Sequence, residues 1–243
     1  MAQTAILDVR SDRAFEETLG FLRACLSQGA LERYRNLFED SRLQADPVFR
    51  EAAEESLEAF LPDLARWGRQ FEAPRDLFDY LIVAPNLSVV FFYRLTHALF
   101  TRGVQQLPDV LAAAARQMTG VEIYYSARCG PAMKIIHGLG TVIGAGCQIG
   151  SQFTAYHGVT VGDKIGGPTG LENRPVIGDY VIACTGASIL GPVQIGDGTL
   201  IAAHAVVLDS LPPRCIAAGA PARVKVEGLS DEQLEAYRAS FRG

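Results

Sequence analysis

Clustered basic residues, paired cysteines and uninterrupted hydrophobic runs are all missing from this 243-residue sequence. Lys and Arg number 22 against 27 Asp and Glu, for a net charge of −5, and no basic run occurs anywhere. A nucleic-acid surface needs a clustered basic face, so that class is disfavoured. The five cysteines (Cys25, Cys129, Cys147, Cys184, Cys215) are odd in number, scattered and never spaced C-x-x-C. That pattern fits reduced, small apolar fillers and not a disulfide framework or a zinc site. The opening stretch MAQTAILDVRSDR has no apolar core of signal-peptide length. The most apolar segment, Leu81 to Phe100, is broken by Pro85, Arg94 and His97, which marks a buried helix and not a membrane span. A soluble, cytoplasmic protein with neither nucleic-acid nor membrane partners is the expectation.

What the sequence has instead is 24 glycines and, over its second half, a period of six. The residues opening successive hexads are Ile143, Ile149, Ala155 and Val161, then Ile177, Ala183, Ile189, Ile195, Ile201 and Val207. All are aliphatic or Ala, and a small residue often follows, as in Ile149-Gly150, Ile177-Gly178 and Ile195-Gly196. Six fits neither the 3.6-residue turn of a helix nor the alternation of a strand. It fits a parallel β-helix of hexapeptides, three to a coil, with the opening residues stacked along the axis. Ile123, Cys129 and Ile135 extend the phase backwards, with Thr141-Val142 read as a two-residue insertion. A longer interruption, Gly162 to Val176, is rich in Gly and Pro and reads as a projecting loop, the kind of segment that carries function. Pro212-Pro213 is read as the end of the repeat.

The first half is helical in character. Ser11 is placed to cap a helix presenting Phe15, Leu19, Leu22 and Leu26. Further helices are predicted over Ala30–Ser41, over Asp46–Trp67 with Pro62 as a kink or break, and from Pro74. Two more are capped or opened by Asn86 and by Pro108, and a short one follows Ser230. The fold class is therefore α+β. A helical domain occupies residues 1–120, a β-helix 121–226, and a tail helix lies within 227–243.

A filled prism has no internal cleft, so chemistry must sit on its corners. His137 lies two residues after Ile135, and His157 two after Ala155. They are 20 apart, and removing the two inserted residues leaves 18, one coil, which puts both at one corner on adjacent rungs. An imidazole with a pKa of about 6.5 is suited to take a hydroxyl or amine proton. Glu122, 15 residues before His137, is the carboxylate within reach to orient it.

The motifs VEI (121–123), IIHG (135–138), GVTVG (158–162), NRPVIGD (173–179), ASILGPVQIGDGTLI (187–201) and AAGAPARV (217–224) resemble those of serine O-acetyltransferases and related hexapeptide acyltransferases. The resemblance is weaker over the helices, where YRLTHAL (93–99) looks like the family's last long helix. It implies a left-handed β-helix, a homotrimer or dimer of trimers, and acetyl-CoA lying between adjacent β-helices. His137 would deprotonate the acceptor, with Glu122 in place of the usual Asp. Gly162, Thr185 and Ala203 would line the CoA arm, and Arg223 and Lys225 would meet its phosphates. Asp76 or Asp79 would supply an acid to the acceptor, and His157 and Arg174 are further acceptor contacts.

The sequence departs from the family where the acceptor is held. Ile136 replaces an Asp before the catalytic His, Asn173-Arg174-Pro175 replaces Arg-His-Pro, and Ala145 replaces an acid, usually Glu. The projecting loop is also two residues longer. These departures point to a hydroxyl acceptor that lacks a free ammonium or is larger than serine. Genuine serine acetyltransferase of cysteine biosynthesis and a non-catalytic trimeric scaffold remain the alternatives. A zinc hydratase would need a third histidine near His137 and His157, and His204 is several coils away. No metal is expected.

Overall fold

The computed structural model describes residues 8–26, 43, 45–68 and 74–240, and the chain divides into two compact units, Met1–Thr119 and Gly120–Gly243. The helix expected over Ala30–Ser41 lies outside the described residues. The first unit contains α1 (Asp12–Cys25), α2 (Pro47–Arg66), α3 (Pro74–Val83), α4 (Pro85–Thr101) and α5 (Leu107–Thr119). Side chains set the helix starts. The Ala14 N–H donates to Ser11 Oγ at 3.2 Å, and the Val48 N–H to Asp46 Oδ1 at 2.9 Å. Pro62 does not break α2. Its neighbour Asp63 is buried and accepts both Arg94 Nε and Nη2, at 2.8 and 2.9 Å, which ties α2 to α4 at that point. Asn86 is not a cap. Ala84 occupies that position without a side-chain bond, and Pro85 opens α4. The core is aromatic: Phe91 meets Phe21, Phe60 and Phe78 edge-on at 5.5–5.7 Å between centroids. Among the described residues no single helix is long and apolar enough to cross a membrane.

The second unit is a parallel β-solenoid of short strands in three sheets. Sheet A holds β1 (Glu122–Ile123), β4 (Val142–Ile143), β7 (Thr160–Gly162), β10 (Ser188–Leu190) and β13 (Val206–Val207). Sheet B holds β2 (Arg128–Cys129), β5 (Gln148–Ile149), β8 (Val176–Ile177) and β11 (Gln194–Ile195). Sheet C holds β3 (Lys134–Ile136), β6 (Thr154–Tyr156), β9 (Ile182–Ala183), β12 (Leu200–Ile201), β14 (Ile216–Ala218) and the antiparallel β15 (Arg223–Val226). The chain visits A, B and C in turn, so each sheet is one face of a prism. The ten hexad-opening residues are all 5% exposed or less, and each faces its counterpart one rung on, as in Ile143↔Val161 and Ala155↔Ala183. Burying each large aliphatic side chain contributes about 1.5–3 kcal/mol.

Two readings of the repeat need correction. Pro212-Pro213 does not end the stack, because Leu211 still bridges Ile195 and β14 pairs with β12. The prolines sit exposed at a corner, where no ladder donor is required. The inserted pair is not Thr141-Val142 either. Val142 pairs regularly with Thr160, and the extra residues lie upstream in the corner.

The edge from sheet B to sheet C is the tightest. Gly130, Gly150, Gly178 and Gly196 stack along it, and an added Cβ on any of them would meet backbone of the next rung within 3.0 Å. A carboxylate ladder reinforces the edge. Ser151 N–H donates to Asp179 Oδ1 at 2.6 Å, and Asp179 N–H to Asp197 Oδ1 at 2.8 Å. The last helix, α6 (Asp231–Ser240), packs here through buried Leu234, and Leu229 just before it is buried as well. Arg214 binds the Leu229 carbonyl at 2.9 Å and pairs with Asp231, and Arg238 lies 4.3 Å over the Tyr180 ring.

Candidate active site

The edge from sheet C to sheet A carries the histidines. Ile136, the last residue of β3, pairs with Tyr156, the last of β6, so His137 and His157 both leave sheet C at this corner. The Gly158 N–H donates to Leu139 O at 3.0 Å, and the Gly140 N–H to Gly120 O at 2.8 Å. Leu139-Gly140 thus occupies the place that His157-Gly158 holds one rung on. The extra residues are His137-Gly138, a bulge whose first member is exposed and has a φ of 53°. Ala132, Gln152, Tyr180 and Arg214 share this left-handed backbone at other turns of the solenoid, so the conformation marks a corner and aims the side chain outward.

Glu122 opens β1, half-buried, in sheet A beneath the same corner. Its N–H donates to the Thr141 carbonyl at 2.9 Å, and Gly120, two residues before it, is tied to Gly140. Main-chain bonds therefore hold the Glu122 strand directly against the segment that follows His137. His157 is exposed and its carbonyl accepts the Gly186 N–H at 2.9 Å. Thr185 and Ala203 come next on this edge, because the His204 N–H donates to Thr185 O at 2.8 Å. Leu139, His157, Thr185 and Ala203 form one column over four rungs, and His137 bulges from the same corner beside its first member.

Beside the column, on the outer face of sheet C, run Ile136, Tyr156, Cys184 and Ala202, aligned by the sheet register. None of them carries charge. Burial and the neighbouring Cys184 push the Tyr156 phenol up from its ordinary value, and burial pushes the Cys184 thiol up.

Arg174 is placed elsewhere. It closes the projecting loop, after a 3₁₀ turn over Gly170–Asn173, at the edge from sheet A to sheet B. It pairs with Asp163, and a Cβ on Gly146 would lie 3.6 Å from its Cγ. Buried Asn173 fastens the loop by donating to the Lys164 carbonyl at 2.9 Å. Gly162 shares this edge; an added Cβ there would meet nothing within 4 Å. Within one chain the width of sheet A separates Arg174 and Gly162 from the histidine column. Arg223 and Lys225 are exposed on β15, at the far end of sheet C from His137, and Arg223 pairs with Asp209 at 3.0 Å.

Asp76 is exposed in the first turn of α3, and Asp79 lies 3.6 Å from Arg75. Both belong to the helical unit. His97 is half-buried there, its ring 5.6 Å from that of Tyr93. All described cysteines are free; burial pushes Cys25 up to about 12 and Cys147 up to about 11, the latter against the opposing charge of Arg174. Such thiols stay protonated at neutral pH and are poor nucleophiles. Among the described residues no three His, Cys, Asp or Glu side chains gather as a metal site.

The sequence reading missed one part of this edge. Gly140, Gly158 and Gly186, with φ of 76°, 69° and 66°, repeat at one corner position, and His204, φ 56°, continues it. Their spacing is the 18-residue coil once the projecting loop is set aside, so the phase was available to find them.

Residues 174–209 match the bacterial transferase hexapeptide (six repeats) family. Over 151 residues the chain is 38% identical to the serine acetyltransferase of Helicobacter pylori, covering 62% of this chain and 87% of that protein. It is 39% identical over 146 residues to the serine acetyltransferase of Mycobacterium tuberculosis, covering 60% of this chain and 63% of that one. The crystal structure of serine acetyltransferase from Brucella abortus superposes with a TM-score of 0.67 at 26% identity, covering 88% of this chain and 84% of that one.

Proposed function

The chain belongs to the serine acetyltransferase family and is an acyltransferase, and from that premise we propose that it moves an acetyl group from acetyl-CoA to the hydroxyl of a small acceptor that does not present a free ammonium beside that hydroxyl. The carrying observation is the uncharged strip Ile136–Tyr156–Cys184 next to His137. An ammonium placed there would lose its water without gaining a carboxylate, and unpaired polar groups are strongly rejected in a closed site.

In this reading a neutral His137 takes the acceptor O–H proton at one ring nitrogen while the oxygen forms its bond to the thioester carbon. Glu122 orients the imidazole and stabilises its charged form. Main-chain N–H groups near the Gly162 loop offset the developing oxyanion. The C–S bond then breaks, and the proton on His137 passes to the departing CoA sulfur.

The donor's path follows the histidine column. His137 and the β15 cations lie at opposite ends of sheet C, five strand spacings or roughly 24 Å apart, a span that takes the pantetheine arm together with the diphosphate beyond it. The Gly162 loop sits on a different edge from His137, so joining the two calls for a second copy of the chain. A homotrimer, singly or as a dimer of trimers, supplies it.

The names of the relatives favour a second reading, in which the acceptor is serine itself. Free-thiol release from acetyl-CoA, measured across a panel of alcohols, amines and L-serine, separates the two. Neutral or larger alcohols are expected to outpace serine. Serine turnover equal to that of any other acceptor overturns the acceptor assignment, and no thiol release with any acceptor overturns acetyl transfer.

A further inference from the structure

Along the edge from sheet C to sheet A the chain keeps one position free of side chains. Gly140, Gly158 and Gly186 hold it, with φ of 76°, 69° and 66°. An added Cβ on Gly140 or Gly158 would fall 3.8 and 3.5 Å from the Cα of the next glycine, so the edge is a smooth run of backbone. The next rung breaks the pattern. His204 takes the same left-handed conformation with a full side chain, φ 56°.

The imidazole does not swing away from the edge. A Cβ built on Gly186 would lie 2.5 Å from His204 Nδ1 and 2.7 Å from Cε1, so the ring lies back along the edge over Gly186 and fills the space that glycine leaves. It is exposed, and among the described residues neither ring nitrogen has a hydrogen-bond or ion-pair partner. The ring covers Gly186, but packing over a glycine leaves the two polar nitrogens of the imidazole unaccounted for. Its neighbours along the edge, Thr185 and Ala203, are residues assigned above to the acyl donor's arm.

We infer that His204 is a donor-specificity residue, whose imidazole hydrogen-bonds an amide of the pantetheine arm; the inference rests on the reading that the donor runs along this edge. The geometry fits one amide in particular. Gly186 stands two rungs from His137, roughly 10 Å. In pantetheine seven bonds separate the sulfur from the second amide nitrogen, roughly 9 Å when extended. A neutral imidazole offers one donor and one acceptor nitrogen, and an amide offers the complementary pair.

The test is calorimetric binding of CoA and of adenosine 3′,5′-bisphosphate, which keeps the nucleotide end and lacks the arm, to wild type, H204G and H204N. Glycine restores the residue found on the other rungs, so H204G is expected to fold normally. H204G should weaken CoA about fivefold, the value of one net hydrogen bond, and leave the bisphosphate within about twofold. H204N tolerates the left-handed backbone and keeps an amide, so it should hold CoA within about twofold of wild type. Unchanged or tighter CoA binding in H204G overturns the inference, as does equal weakening of both ligands or of both variants. Failure of wild type to bind CoA at all overturns instead the reading on which it rests.

Discussion

Replacing Gly150 by alanine puts a methyl group 2.6 Å from the Gly178 carbonyl carbon and 2.8 Å from the Asp179 nitrogen. Ordinary contact begins near 3.4 Å, so the two rungs must part locally by about 0.8 Å. The obstacle is backbone, which has no rotamer to change. Asp179 cannot turn aside freely either, because its Oδ1 accepts the Ser151 N–H at 2.6 Å. The same shift stretches the Gly150 N–H to Ile177 O bond, 2.8 Å in the native chain. Overpacking costs about 1–3 kcal/mol and a weakened buried hydrogen bond about 1 kcal/mol. At roughly 2–4 °C per kcal/mol for a chain of this size, G150A should melt roughly 4–16 °C below wild type by circular dichroism. G162A is the matched control: an added Cβ there meets nothing within 4 Å, and it should melt within about 1 °C of wild type. A G150A midpoint within about 2 °C of wild type would refute the backbone-contact reasoning.

Asp63 and Arg94 form a buried bidentate pair, so D63A, which strands the guanidinium, should cost about 3–5 kcal/mol in urea unfolding, and the double variant D63L/R94L should cost less. Cys147 gives a pH signature. Its folded pKa, about 11, lies above the ordinary 9.0, so its share of stability is intact below pH 9 and is lost as pH rises toward 11. Wild type should therefore lose stability relative to C147A over that interval by on the order of 2 kcal/mol, measured by urea unfolding at each pH.

The hexad phase was enough to find the axis, because one inward residue per six is a strong period and each such residue is buried. It also put His137 and His157 at one corner. The phase was silent on where slack in a coil is taken up. An insertion of two residues is equally compatible with several corner positions, and only the bond from Gly158 to Leu139 assigns it to His137-Gly138. Pro212-Pro213 misled because a missing donor matters within a ladder and not at a turn. The direction of the His204 ring depends on the empty space over Gly186, and spacing says nothing about that. The division of Arg174 and His137 between two edges follows from the order of the sheets, which emerges only when the coil is closed.

Acyl transfer with His137 as the base is the central claim, and its most direct test is kcat for thiol release by His137→Asn with the preferred acceptor. Asparagine tolerates the positive φ of this exposed position, so the fold should persist. The account predicts a fall in kcat of about 10²- to 10⁴-fold with CoA affinity and melting temperature unchanged. A variant that keeps its kcat within about threefold of wild type would contradict it.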